Sequence, residues 1–290
     1  MRKIVTIVNL LVCCSLFVQA QEEKPKDRPV RSPFESGILL DNQTTVIPYK
    51  KTLEYTIQHK FSPMSNGLSD LFGIYAPGAN MRMHFAYVPV KNLQIGYGLS
   101  LQNMYSDFSV KYNILEQTRK NTVPVAVAVF ANMAIDGRNA EAFGKNYSFG
   151  NRYSYFTQLI IGRRVNDWLS VQAHANFTHF NHTRTGVDHD RFGVGFNGRA
   201  KFSPQSSILF QFDSPLMIKS ITEHRDDERL EPARPNLGVG WEIRTSTHVF
   251  HIYIASAKGM IPQENFVHNT YDFTDGGMMF GFSMIRLWNF

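Results

Sequence analysis

From residue 52 to the end of the chain, apolar and polar side chains alternate with a period of two. In "TLEYTIQHKF" (52–61), Leu53, Tyr55, Ile57, His59 and Phe61 share one face, and Thr52, Glu54, Thr56, Gln58 and Lys60 share the other. That period is the signature of a strand with one face in each of two environments. It recurs in "NMRMHFAYVP", "LQIGYGLSL", "DFSVKYNIL", "VPVAVAVFANM", "RYSYFTQLIIGRR", "WLSVQAHANFTHF", "RFGVGFNGRAKF", "SILFQFD", "NLGVGWEIR", "HVFHIYIAS" and "MMFGFSMIRLWNF", which makes twelve predicted strands. Each is about ten residues, the length that crosses a bilayer at a tilt.

The connections have a rhythm of their own. Links from even to odd strands are tight, as in "VKN" (90–92), "NDW" (166–168), "SPQS" (203–206) and "TST" (245–247), with "EQTRKNTV" a longer exception. Links from odd to even strands are mostly long: 62–78, 136–151, 181–190, 214–235 and 258–277. Short turns on one side and long loops on the other predict an all-β, single antiparallel transmembrane barrel with periplasmic turns, extracellular loops and both ends in the periplasm. A soluble sandwich or lipocalin-like barrel also alternates, but it turns its apolar face inward and charges its outside. Here the apolar face is almost free of charge, while the other face mixes Gly, Ser, Asn, Gln, Arg and Lys. No run after the leader reaches the 18 apolar residues of a spanning helix.

The first fifty residues have a different texture. Arg2 and Lys3 precede the apolar run "IVTIVNLLVCCSLFV" and the small-residue ending "VQA", which reads as a secretory signal over residues 1–20. Acylation at Cys13 or Cys14 fits poorly, because both lie inside the apolar run. These are the chain's two cysteines, so the exported protein has no disulfide and no thiolate chemistry. Residues 21–50 begin rich in Pro and charge and end with an apolar patch at Ile38, Leu39 and Leu40, a periplasmic segment or plug before the barrel at 51–290. The 290 residues hold 30 basic and 24 acidic groups; loss of Arg2 and Lys3 leaves 28 against 24. That mild excess falls on the barrel's polar face, which argues against nucleic acid as the partner and for a charged lumen.

On that face the basic residues are Lys60, Arg82, Lys111, Arg164, Arg199, Lys201 and Arg244, and the acidic ones Glu54, Asp213 and Glu242. Arg164, Arg199, Lys201 and Arg244 fall near the periplasmic ends of descending strands, where a basic ring favours anionic solutes. The competing expectation is that these groups pair with the acidic residues and a plug and hold the barrel shut. The functional expectation is therefore a narrow pore or transporter for small anions, with a closed scaffold for an envelope partner as the alternative. Histidines gather at His174, His179, His182 and His189, beside Asp188 and Asp190. Of these, His179, His182 and His189 are the weak metal-site candidates, with no fixed ligand spacing matched. A lipid hydrolase needs Ser and His on one face; His59 and Ser65 are six residues apart across Pro63, so no enzyme and no cofactor is expected.

The closing strand is apolar to its last residue. Phe282, Met284, Trp288 and Phe290 share one face, opposite Gly281, Ser283 and Asn289. They predict a lipid-facing stripe and a signal for the outer-membrane insertion machinery, with Arg286 near enough to the edge to reach headgroups.

Several stretches together resemble a family. "THVFHIYIASAKGMIPQENF" and "GGMMFGFSMIRLWNF", with "LEYTIQHKF", "NQTTVIPYK" and "DHDRFGVGFNGRAKF", are similar to an uncharacterised family of β-barrel proteins from Bacteroidetes-type outer membranes, a domain of unknown function. The resemblance spans about 33–290 and departs where Ser62 stands in place of the family's Gly after "HKF". It implies a barrel surrounded by outer-membrane lipids and carries no catalytic residue with it.

Overall fold

The computed structural model describes residues 27–218, 221 and 232–290. The predicted signal over 1–20 and residues 21–26 of the segment that follows it lie outside this range. Two short strands, β1 (Ile38–Leu39) and β2 (Asn42–Gln43), form a hairpin. Twelve longer strands follow: β3 (Thr52–Pro63), β4 (Asn80–Val90), β5 (Leu93–Ser100), β6 (Ser106–Leu115), β7 (Ala126–Ile135), β8 (Tyr153–Arg164), β9 (Leu169–Phe180), β10 (Asp190–Lys201), β11 (Ser206–Leu216), β12 (Asn236–Arg244), β13 (His248–Ala255) and β14 (Met279–Asn289).

Each strand pairs antiparallel with its chain neighbours, and β14 returns to β3, Trp288 beside Leu53 and Phe282 beside His59, closing the barrel. Closure removes the edges whose unpaired N–H and C=O groups hydrocarbon cannot satisfy. The end carrying the tight turns and the C-terminus is called lower here, and the end carrying the long loops upper.

Which face points where is settled by burial. Lys60 is 0 % exposed and Asp213 3 %, while Phe85 is 45 %, Val110 47 % and Phe196 43 % exposed. The polar face is inside and the apolar face outside, the reverse of a soluble barrel. Trp168, Trp241 and Phe290 belong to the exposed outer surface, a position that suits aromatic side chains at a membrane interface.

Strand ends depart from the periodicity where proline intervenes. The fifth predicted strand begins at Ala126 and not Val123, because Pro124 has no N–H to give a ladder and Val123 already bonds Thr118 across the turn. The β4–β5 register breaks between Tyr87 and Val90, across Pro89. The long lower turn also has a partner. Val30 N donates to Gln117 O at 2.9 Å and Arg119 N to Arg28 O at 2.9 Å, so the incoming N-terminal segment is bridged onto that turn through Pro29 and Thr118.

Candidate functional site

The candidate site is the lumen, and two pieces of chain fill it. From the lower side, residues 32–48 enter and fold back through the β1–β2 hairpin. Their contacts run all around the wall. Lys111 of β6 donates from Nζ to Gly37 O at 3.0 Å, Gln172 of β9 donates to Gln43 O at 2.7 Å, and Asn42 donates to Asp213 of β11 at 2.7 Å. At the hairpin tip Asp41 meets Lys60 of β3 at 2.7 Å, with both side chains almost wholly buried. Gly37 threads between charges: a Cβ there would lie 3.0 Å from a Glu54 oxygen and 3.1 Å from Lys111 Nζ, so any side chain at this position would press the two charged groups aside.

The apolar patch of the segment has a receptor on the inner wall. Phe34, Leu39 and Leu40 pack with Leu209, Tyr253 and Ala255, and Ile38 packs with Val249 and Ile285. These five wall residues come from three strands, β11, β13 and β14. Gly240 makes room beside them, since a Cβ there would sit 2.7 Å from the Tyr253 Cβ and 3.0 Å from a Leu40 methyl. Burial of this cluster supplies the non-directional part of plug binding, and the charge pairs fix its register.

Of the ten predicted lumen charges, Lys60, Arg82, Lys111, Arg199, Glu54, Asp213 and Glu242 are buried within the barrel, and Arg164, Lys201 and Arg244 are partly exposed at its lower end; most are paired. Arg199 Nε meets Glu242 at 2.6 Å, and its Nη2 meets Glu35 of the plug at 3.0 Å; Arg244 meets the other Glu35 oxygen at 3.2 Å. Arg82 forms a two-pronged pair with Asp107 at 2.6 and 3.0 Å. Lys111 and Glu54 flank Gly37, and Asp213 accepts from Asn42, Gln211 and Asn236. Arg164 bonds Asp167 of the adjacent turn at 2.7 Å. Lys201 has no ion-pair partner among the described residues. The four lower basic groups do share one end, but two of them bind the plug's Glu35 and no open basic ring faces the lumen in this state.

From the upper side, the β13–β14 loop drops inward as a short helix, α1 (Pro262–Val267), whose Pro262 opens the first turn, where its missing N–H costs nothing. Phe266 inserts among Ala128, Phe130, Phe156 and Ile160 of the inner wall. Tyr105 donates to Glu264 at 2.5 Å, and His268 lies 3.4 Å from the same carboxylate. Burial pushes the Glu264 carboxyl up, but His268, Tyr105 and Arg138 outweigh it and hold it below its ordinary range. Burial and then the Glu264 charge push the Tyr105 phenol well above its own. Lys60 joins the two plugs: besides pairing with Asp41, it donates to Ala257 O at 2.5 Å and Gly259 O at 3.2 Å.

Sequence reasoning missed Asp107, the partner of Arg82, although its place two residues before Ser109 and four before Lys111 puts it on the same inward row. It also missed Arg191 with Asp188, fully buried at 2.9 Å. The wall beside α1 carries uncommitted polar groups: Ser154 Oγ, Gln158 Oε1, Thr178 Oγ1 and both side-chain polar atoms of Asn176 have no hydrogen-bond partner.

The other candidates disperse. His179 pairs with Asp190 at 2.7 Å, His189 bonds Phe180 O at 2.6 Å, and His182 packs edge-on to Phe143; no three His, Cys, Asp or Glu side chains among the described residues are grouped to hold a metal. His59 faces outward and stacks on Phe282 at 5.3 Å, with Ser65 in the loop above. In the last strand Phe282 and Phe290 are exposed, Met284 and Trp288 half-buried, and Phe290 N donates to Lys51 O at 3.1 Å. The Arg286 guanidinium lies 4.9 Å from the Trp288 ring centre.

The family model described as a membrane-bound beta barrel domain (DUF5777) matches residues 34–288. The chain belongs to this family. Among solved structures, this member of the family is similar to the COG4313 outer membrane channel from Pseudomonas putida F1, with a TM-score of 0.50 and 10 % identity over 84 % of this chain and 97 % of that one. It is also similar to the NanC porin (TM-score 0.48, 7 % identity, 82 % and 99 % covered) and the KdgM porin (0.46, 9 %, 82 % and 99 %). At 10 % identity the likeness to the COG4313 channel is one of fold, a closed barrel. No curated protein matches the chain. The matched stretch opens at Phe34, so the family domain takes in the lower plug as well as the wall.

Proposed function

We propose that this outer-membrane barrel is a pore for small anionic solutes, closed at rest by its own N-terminal segment. The observation that carries the reading is the identity of the groups at the plug–wall contact. Two carboxylates of the plug, Glu35 and Asp41, occupy the basic sites of the wall at Arg199, Arg244 and Lys60. The plug thus takes the place that an anionic solute would take once it leaves. The uncommitted amides and hydroxyls of Ser154, Gln158, Asn176 and Thr178 suit a path that is wet when open.

The test compares the full chain with a variant lacking residues 27–48 in planar bilayers, after checking that both insert as barrels. The expected result is rare openings for the full chain and sustained, anion-preferring conductance for the variant. A variant that inserts normally and never conducts, even with Phe266→Ala added to loosen the upper plug, would sink the pore reading.

The filling of the lumen from both ends favours a second reading, a closed scaffold that docks an envelope protein. It predicts no conductance in either form, together with a protein that co-purifies with the full chain and is lost with residues 27–48.

A further inference from the structure

The loop between β3 and β4 is unlike the other long loops of the upper rim. Residues 61–80 carry one charged side chain, Asp70, whereas the β11–β12 link, 217–235, carries nine. Asp70 is spent within the loop: its carboxylate accepts from Gly73 N and from Asn66 Nδ2, both at 2.9 Å. The apolar side chains face out. Leu68 is 80 % and Tyr75 79 % exposed, and Leu71, Phe72 and Ile74 are exposed beside them. Leu71 and Phe72 hold left-handed backbones, with φ of 51° and 54°, a conformation that side chains of this kind rarely adopt. An exposed row of large apolar groups on a strained, internally bonded loop marks an interaction surface.

What covers it follows from where it sits. The loop doubles back so that Ser62 N donates to Gly73 O at 3.2 Å, against the last turn of the outer wall. Immediately below, Phe61 packs on Phe280 on the outward face, and Leu101, 64 % exposed, continues the outward row of Leu99. The apolar knob is therefore continuous with the surface that lipid already covers. A protein partner on the aqueous side would meet the charged loops instead.

We propose that the β3–β4 loop is seated in the surrounding leaflet, with Leu68, Leu71, Phe72, Ile74 and Tyr75 in the boundary between acyl chains and headgroups. The seat also braces the upper plug. Ser62 Oγ donates to Pro77 O at 2.7 Å, Asn80 Nδ2 to Lys258 O at 3.1 Å, and Met64 N to Met278 O at 2.8 Å, so both ends of the loop that carries α1 are bonded to the base of the lipid-seated one.

The test uses nitroxide labels on single cysteines in the full chain with Cys13→Ser and Cys14→Ser. Labels at Leu68→Cys, Phe72→Cys and Tyr75→Cys are compared, in phosphatidylcholine–phosphatidylglycerol vesicles, with an aqueous control at Glu141→Cys and a lipid-facing control at Leu159→Cys. The expected result is an oxygen-to-nickel-chelate accessibility ratio shifted from the Glu141 value towards the Leu159 value at all three sites. Ratios equal to that at Glu141 overturn the proposal. So do labels shielded from both reagents and dipolar-coupled to each other, which would assign the knob to a second copy of the chain. Three sites keep the reading independent of any one label that disturbs the loop.

Discussion

Asp41→Asn is the sharpest test of how the lower plug is held. The Asp41–Lys60 pair is 2.7 Å long, with side chains 3 % and 0 % exposed. Removing one partner of a buried ion pair costs about 3–5 kcal/mol, because the other charge is left uncompensated. Lys60 keeps two carbonyl acceptors, Ala257 O and Gly259 O, which places the cost near the lower end, about 3 kcal/mol. An asparagine at 41 also turns an amide donor towards Asn236 Nδ2 or Gln211 Nε2, which now donate to Asp41. At about 1.4 kcal/mol per decade, the ratio of withdrawn to seated plug rises roughly a hundredfold. Limited proteolysis of residues 27–48 from the lower side reads that ratio directly, and single-channel open probability reads it through function. Adding Lys60→Met to Asp41→Asn should recover much of the closure, since no uncompensated charge is then left buried. A single variant with unchanged protease access and an intact barrel would refute the view that this pair latches the plug.

Three further outcomes follow from other contacts. Phe266→Ala should loosen the upper plug by about 3–5 kcal/mol, seen as faster amide exchange over 256–269 with the strands unaffected; unchanged exchange there would remove Phe266 as its anchor. Because Glu264 is held below its ordinary range, the charged form stabilises the seated loop above the unfolded value, and this is lost as pH falls through the lower folded value. Exchange over α1 should therefore rise below about pH 4, and Glu264→Gln should exchange faster at neutral pH with no such rise. Phe290→Ser, at the foot of the closing strand, should lower the fraction of chains that insert; normal insertion would deny it a role as an assembly signal.

Much of the barrel was legible because alternation reports the two environments directly. Every predicted strand sits on a real one, and the assignment of polar residues to the lumen follows from the same parity. The ends were less legible: Pro89 and Pro124 break ladders in ways a period of two does not register. The filling of the lumen was the least legible part, for a physical reason. Ile38, Leu39 and Leu40 stood out as an apolar patch, but their receptor is built from Leu209 of β11, Val249, Tyr253 and Ala255 of β13, and Ile285 of β14, all far away in sequence. The parity of each strand shows which of these face inward and not that they meet the plug. Met260, Ile261, Phe266 and Val267 carried a readable signal, an apolar cluster in the middle of a long upper loop, and they form the upper plug. The pairing of Arg82 with Asp107 needed only the parity already in hand.

The pairings also decide in which state the lumen can select. Arg82 and Arg199 keep wall partners, Asp107 and Glu242, whether or not the plug is present. Lys60 and Arg244 take their carboxylates from the plug, and Lys111 gives a hydrogen bond to its backbone. On the proposed reading, withdrawal of residues 32–48 therefore removes two negative charges and frees Lys60 and Arg244, one high and one low in the barrel, while the Arg82 and Arg199 pairs stay neutral. Anion preference then belongs to the open state alone. It should weaken stepwise in the variant lacking 27–48 when Arg244→Gln and then Lys60→Met are added, and Arg82→Gln, which strips Asp107 of its partner, should shift it the opposite way from Asp107→Asn.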